Sequence, residues 1–207
     1  MNPTLFVIHD QKRTDRYNTL VSELQSQHIH PDDIHWMPAV KANNAIAGIS
    51  QAHRACVQKA KDLGLAHVTI LEDDIKFTCE FSFRRYMDAF EKLPDDWDLY
   101  FGGAYTLIQK RKVHPLFLMV TDIAGLHCYT IRRSFFDRFL EAPDTYHIDR
   151  WLIARARAKA YILYPFIAVQ YDGFSDQQGR MIVLKDFHKS TDLYHATAYE
   201  TLQDTDD

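Results

Sequence analysis

His67-Val68-Thr69-Ile70-Leu71-Glu72-Asp73-Asp74-Ile75-Lys76-Phe77 decides how this chain folds. Its apolar, β-branched run follows the break at Leu63-Gly64-Leu65 and reads as a buried strand that ends in three consecutive carboxylates. Clustered anions at the end of a buried strand are unfavourable unless a cation is held there, and a hard divalent metal is the simplest neutraliser of oxygen ligands. Ligands of open α/β sheets also bind just outside the carboxyl ends of strands. The same residues alone read equally as an acid cluster on a solvated turn.

Upstream, Leu5-Phe6-Val7-Ile8 reads as the first buried strand, and His9-Asp10-Gln11-Lys12-Arg13 as the polar loop that leaves it. Tyr17, Leu20, Val21 and Leu24 recur at helical spacing, with Thr14 or Asp15 able to cap the first turn. Strand, loop and helix open a βαβ pattern. Arg13 and Arg16 stand where they can meet the phosphates or base of a nucleotide, or simply be solvated. Residues 34–40 read as a second strand, moved toward an edge by Pro38. A polar loop is expected over 41–49. Ser50 is expected to cap a helix bearing Ala52, Ala55, Cys56, Ala60 and Leu63 that Gly64 ends. His53 on this helix reads as a packing residue.

Downstream, Phe83, Tyr86, Met87 and Phe90 predict a helix behind a Ser82 cap, closed by Leu93-Pro94. Residues 97–101 read as a strand running into Gly102-Gly103, where backbone can approach more closely than Cβ atoms allow. Gln109-Lys110-Arg111-Lys112 reads as a flexible basic loop, either available to a diphosphate or merely exposed. Residues 116–120 and 126–131 read as strands around a polar break at 121–125. Ser134 is expected to cap a helix over 135–140. Asp149 falls in the first turn of a helix beginning at His147, a place the helix dipole favours for an acid with or without chemistry. Residues 161–166 and 167–171 are the last apolar runs, 172–179 are turn-rich, and the tail from about 190 reads as mobile.

With 207 residues, 46% of them hydrophobic, the chain can bury a sizeable core, and one domain over 1–207 is expected. A net charge of −4 supplies no basic field for nucleic acid. Three scattered cysteines, Cys56, Cys79 and Cys128, read as free thiols in a reducing compartment. No apolar run reaches the roughly 20 residues of a membrane span, and the N-terminus lacks a signal peptide's pattern, so a cytoplasmic location is expected. Neither a Walker-type nor a dinucleotide glycine fingerprint occurs, which weighs against nucleotidyl or phosphoryl transfer. A module that binds a nucleotide or glycan without turnover remains compatible with every motif.

The ordered set of motifs resembles glycosyltransferase family 25. The likeness spans residues 5–179. It rests on Phe6-Val7-Ile8 followed by Arg13 and Arg16, on Gly48-Ile49-Ser50-Gln51-Ala52-His53-Arg54, and on Ile70-Leu71-Glu72-Asp73-Asp74. It rests also on Trp97-Asp98-Leu99, Gly125-Leu126-His127-Cys128-Tyr129, Asp149 with Trp151-Leu152, and Tyr164-Pro165 followed by Gln170 and Ser175-Asp176. The resemblance implies a GT-A fold, α/β with a mixed central sheet flanked by helices. It also implies metal-dependent transfer of a hexose from a nucleoside diphosphate sugar, UDP-glucose or UDP-galactose first, to a hydroxyl of a glycan or glycoconjugate. Glu72-Asp73-Asp74 then stands for the family's Asp-X-Asp-like motif, with Asp74 as ligand to Mn2+ or Mg2+ and Glu72 or Asp73 meeting ribose or a metal-bound water. Ile8, His9 and Arg13 complete the donor site. His188 is the candidate second metal ligand, its imidazole favouring Mn2+. The resemblance implies inversion, with Asp149 as general base and Asp122 and Asp176 in reserve.

Overall fold

The computed structural model describes residues 4–175 and 180–182. The elements are β1 (Leu5–His9), α1 (Thr14–Ser26), β2 (Ile34–Pro38), α2 (Ala45–Asp62), β3 (His67–Glu72) and β4 (Ile75–Phe77). There follow α3 (Ser82–Phe90), β5 (Leu99–Phe101), β6 (Thr106–His114), β7 (Phe117–Ala124), β8 (Cys128–Arg132), α4 (Phe136–Leu140) and α5 (Ile148–Ala154). Short strands β9 (Ala160–Leu163), β10 (Ala168–Gln170), β11 (Gly173–Ser175) and β12 (Arg180–Ile182) complete the described chain.

Eight strands form one mixed sheet in the order β2-β1-β3-β8-β5-β9-β7-β6. β1 runs parallel to both β2 and β3, and β8 lies antiparallel between β3 and β5. Both faces are covered, which is why the central strands read as continuous apolar runs. Phe6, Ile8, Val68 and Ile70 face Ala52, Cys56, Val57 and Ala60 of α2, while Leu5, Val7 and Leu71 share the opposite core with Leu20, Leu24, Phe83 and Tyr86. Each fully buried leucine of this kind contributes about 1.5–3 kcal/mol. Between the layers Tyr86 and Tyr100 stack 4.2 Å apart, and the Tyr86 hydroxyl donates to the Tyr100 carbonyl at 2.7 Å.

Several local expectations are corrected. Residue 50 is no cap: α2 starts a turn and a half earlier, at Asn44, whose side chain accepts the Ala47 N–H at 2.8 Å, and Ser50 is buried inside the helix. Arg13, not Thr14 or Asp15, occupies the N-cap position of α1. Phe81 precedes α3 with φ +61°, and Gln27 from the end of α1 accepts the Phe83 N–H at 3.0 Å, filling the role expected of Ser82. Ser82 instead accepts the Cys79 N–H. Residues 133–135 form a 3-10 turn before α4, where Ser134 makes no cap bond. The basic segment 109–112 is not a loop but part of β6, paired with β7 at the sheet edge. The polar break expected at 121–125 is continuous strand through Ala124. Gly64 does end its helix, at φ +70°. The tail beyond 190 lies outside the described residues.

Candidate functional site

A cleft of about 620 Å³ opens at the carboxyl ends of β1 and β3. Ile8, Glu72, Asp73 and Asp74 line one part of it, residues around the start of α2 another, and Tyr105, Gly125 and Asp149 a third. Phe101, at the end of β5, does not line it. Its strand runs into Gly102-Gly103, which lie behind: a Cβ on Gly103 would stand 1.9 Å from the Ala168 carbonyl oxygen. Gly48 lets the first turn of α2 press against the β2–α2 connection, since a Cβ there would meet the Val40 oxygen at 2.4 Å.

Each acid of the triplet is held differently. Asp73 accepts from Arg16 Nη1 at 2.8 Å and, through its other oxygen, from His9 Nδ1 at 2.9 Å and the Asp10 N–H at 3.3 Å. It is a strapped anion, 10% exposed. Asp74 receives Arg16 at 3.3 Å and Gln170 Nε2 at 3.0 Å. Burial, followed by the charge of Glu72, outweighs Arg16 and pushes the Asp74 carboxyl up to about 7. Glu72 accepts from His53 Nε2 at 3.0 Å and Gln170 Nε2 at 3.1 Å. Burial alone would raise its carboxyl, but the His53 hydrogen bond and nearby positive charge hold it below the usual range. The cluster therefore contains one acid kept anionic beside one that lacks enough positive charge.

Asp149 enters the cleft from α5, which Ile148, Leu152 and Ile153 bury. Its two oxygens accept the Gly125 N–H at 3.0 Å and the Arg150 N–H at 2.7 Å. Gly125, at φ +113°, lies under the ring of Tyr105, with the nearest ring carbon 2.8 Å from where a Cβ would be. Burial, then the charges of Asp149, Glu72 and Asp74, raise the Tyr105 phenol, so these carboxylates act on one ring.

The other expected site residues are distributed unevenly. Arg13 lines the cleft while paired with Asp15 at 2.8 Å, and Arg16, one turn on, is the arginine that reaches the acids. His9 does not line the cleft and acts from behind Asp73. Asp122 also lies off the cleft wall, paired with Arg150 at 2.8 Å. His188 and Asp176 lie outside the described residues. His53, read from the sequence as packing, is instead bonded to Glu72, and Gln170 joins Glu72 to Asp74. The motif containing His53 and the Gln170 after Tyr164-Pro165 were visible signals, but nothing in their spacing says which acid they touch.

Among solved structures the chain is similar to A197 from STIV, at 14% identity over 88% of this chain and 94% of that one, with a TM-score of 0.52. It is similar to a glycosyltransferase involved in the glycosylation of the major capsid of PBCV-1, at 11% identity over 78% and 81%, with a TM-score of 0.50. A third is the mannosyltransferase PcManGT from Pyrobaculum calidifontis in complex with GDP-Man and Mn2+, at 9% identity over 96% and 70%, with a TM-score of 0.50. The fold is GT-A-like. At these identities the likeness is one of fold. No family model and no curated protein matches the sequence, so the resemblance to family 25 rests on the motifs alone.

Glu72 and Asp74 offer this GT-A-like cleft oxygen donors of the kind a hard divalent cation takes. Among the described residues no group of three or more His, Cys, Asp and Glu is arranged to hold a metal. A cation at Asp74 would therefore draw further ligands from substrate phosphates and water, as Mg2+ commonly does. No helix among the described residues is long and apolar enough to cross a membrane.

Proposed function

We propose that this protein is a metal-dependent glycosyltransferase of the family 25 type. It moves a hexose from a nucleoside diphosphate sugar, UDP-glucose or UDP-galactose first, to a hydroxyl of a glycan or glycoconjugate with inversion. The observation that carries the reading is the Glu72-Asp73-Asp74 cluster at the end of β3, lining one cleft with Asp149.

In this reading Asp74 is the metal ligand, His188 remains the candidate second ligand, and Glu72 and Asp73 form the donor side with Ile8 and Arg13. Mn2+ or Mg2+ would supply Lewis-acid stabilisation to the departing diphosphate. Arg16, already bound to Asp73 and Asp74, adds a fixed positive charge beside that leaving group. Asp149 takes the proton of the acceptor hydroxyl as its oxygen bonds to the anomeric carbon, and the bond from that carbon to the diphosphate oxygen breaks. His9 supports the donor side indirectly, by fixing Asp73.

Isothermal titration of a panel of nucleotide sugars, with and without Mn2+, tests this on the wild type and on Asp74→Ala. One nucleotide sugar is expected to bind only with metal and to lose binding in Asp74→Ala. Binding that ignores both metal and Asp74, or no binding at all, refutes the reading. A second reading, a module that binds donor without turnover, draws on the fact that both Asp149 oxygens already accept backbone N–H groups. Slow donor hydrolysis without acceptor separates the two, since a transferase passes its sugar to water and a pure binder does not.

A further inference from the structure

Behind the acid cluster runs a buried chain of hydrogen bonds. The hydroxyl of Tyr129, fully buried on β8, lies 2.9 Å from His53 Nδ1, and His53, 1% exposed on α2, places Nε2 3.0 Å from Glu72 Oε1. Chemistry gives the directions. An ionised carboxylate only accepts, so Nε2 carries a proton; in that tautomer of the imidazole Nδ1 offers a lone pair, to which the Tyr129 hydroxyl donates. The other Glu72 oxygen receives Gln170 Nε2 at 3.1 Å, and the same nitrogen reaches Asp74 at 3.0 Å. A continuous path thus joins the middle of the sheet to Asp74.

Packing makes this path rigid at its root. The His53 and Tyr129 rings lie 5.7 Å apart, and the neighbouring Ala52, Cys56 and Val57 seat α2 on the sheet. Rigidity is lost toward the cleft, because a glutamate at a strand end turns about three side-chain bonds. Gln170 can bridge the two acids only while the second Glu72 oxygen faces it. Without His53, Glu72 is able to swing toward Arg16 and take the amide off Asp74.

We propose that His53 is a positioning residue of the site, its tautomer fixed by Glu72 and its ring held in place by Tyr129, and that it acts on the donor and its cation only through Glu72 and the Gln170 amide. The proposal deepens the transferase reading and rests on it. A packing histidine tolerates an apolar side chain of similar size. A positioning histidine is replaced only by a group that puts an N–H in the same place, and glutamine can do so.

The test is titration of UDP-glucose and UDP-galactose with Mn2+ into the wild type, His53→Leu, His53→Gln and Tyr129→Phe, with circular dichroism and thermal melting to verify folding. His53→Leu is expected to weaken binding about 10- to 100-fold, the range for partners that orient metal ligands, and His53→Gln to restore most of it. Tyr129→Phe, which alters no atom at the cleft, is expected to fall between. A long-range 15N–1H spectrum of the wild type is expected to show His53 protonated at Nε2. Binding by folded His53→Leu at wild-type strength, equal loss in the Leu and Gln variants, or an Nδ1–H tautomer overturns the proposal. Should His53→Leu not fold, Gln against Tyr129→Phe and the tautomer carry the same decision. Failure of the wild type to bind any nucleotide sugar overturns the transferase reading instead, and the spectrum still decides the His53 geometry.

Discussion

Asp74→Asn is expected to stabilise the unliganded protein at alkaline pH while removing donor binding. The Asp74 carboxyl is raised from 3.8 to about 7, first by burial and then by the charge of Glu72. Well below its ordinary value of 3.8 it is protonated in both the folded and unfolded chains and contributes nothing. As pH rises toward about 7, the unfolded chain releases the proton first, so the folded state binds more protons and stability falls with pH. At about 1.4 kcal/mol for each tenfold change in proton affinity, the full penalty above pH 7 is about 4 kcal/mol. The side chain keeps 23% of its surface open to the cleft, where water recovers part of this, so a gain of about 2–4 kcal/mol is expected for Asp74→Asn near pH 8. Near pH 4 the gain should shrink to less than about 1 kcal/mol. Arg16 keeps its 2.8 Å bond to Asp73 in the variant, so no cation is stranded. Urea unfolding of both proteins at the two pH values measures the difference directly. An Asp74→Asn protein no more stable than wild type near pH 8, or one shifted equally at both pH values, refutes the idea that Asp74 is an acid short of positive charge.

Asp149→Asn is expected to leave metal-dependent donor binding within about threefold and to lower transfer by about 10²–10⁴, the range for a general base, as read by titration and a donor-consumption assay. Asp122→Asn should change transfer little and stability by less than about 1 kcal/mol, because its pair with Arg150 is partly solvated and off the cleft wall; a large loss of transfer would move the base to Asp122. Gly103→Ala drives a Cβ to 1.9 Å from the Ala168 oxygen and 2.8 Å from His127, and is expected to lower the melting temperature by about 5–10 °C through strain of a few kcal/mol. Tyr86→Phe removes the donor to the Tyr100 carbonyl and is expected to cost about 1–3 kcal/mol in denaturant unfolding. No change there would mean that the carbonyl finds another partner.

Local chemistry was a reliable guide wherever a residue's own backbone preference or a short apolar period decides the outcome. Pro38 put β2 at the sheet edge because proline has no N–H to give to a ladder. Gly64 ended α2 because it accepts positive φ. The acid-tipped strand, the helices around Leu20 and Phe83, and the close approach at Gly103 follow from the same local logic. Where a distant partner supplies the hydrogen bond, local logic failed. Gln27 serves α3 from 56 residues away, and β7 pairs the cationic segment into a strand that its composition alone reads as loop.

Periodicity and backbone preference, which act over a few neighbours, were enough to read alternating strands and helices and three carboxylates at the end of a buried strand, while the mixed sheet came from the resemblance of the motif order. What each carboxylate became was settled by contacts between distant parts of the chain. His9 and Arg16 strap Asp73, His53 keeps Glu72 anionic, and Asp74 is left with too little positive charge. Those differences come from desolvation and from partners on β1, α1, α2 and β10, and both depend on distances that no spacing along the chain encodes.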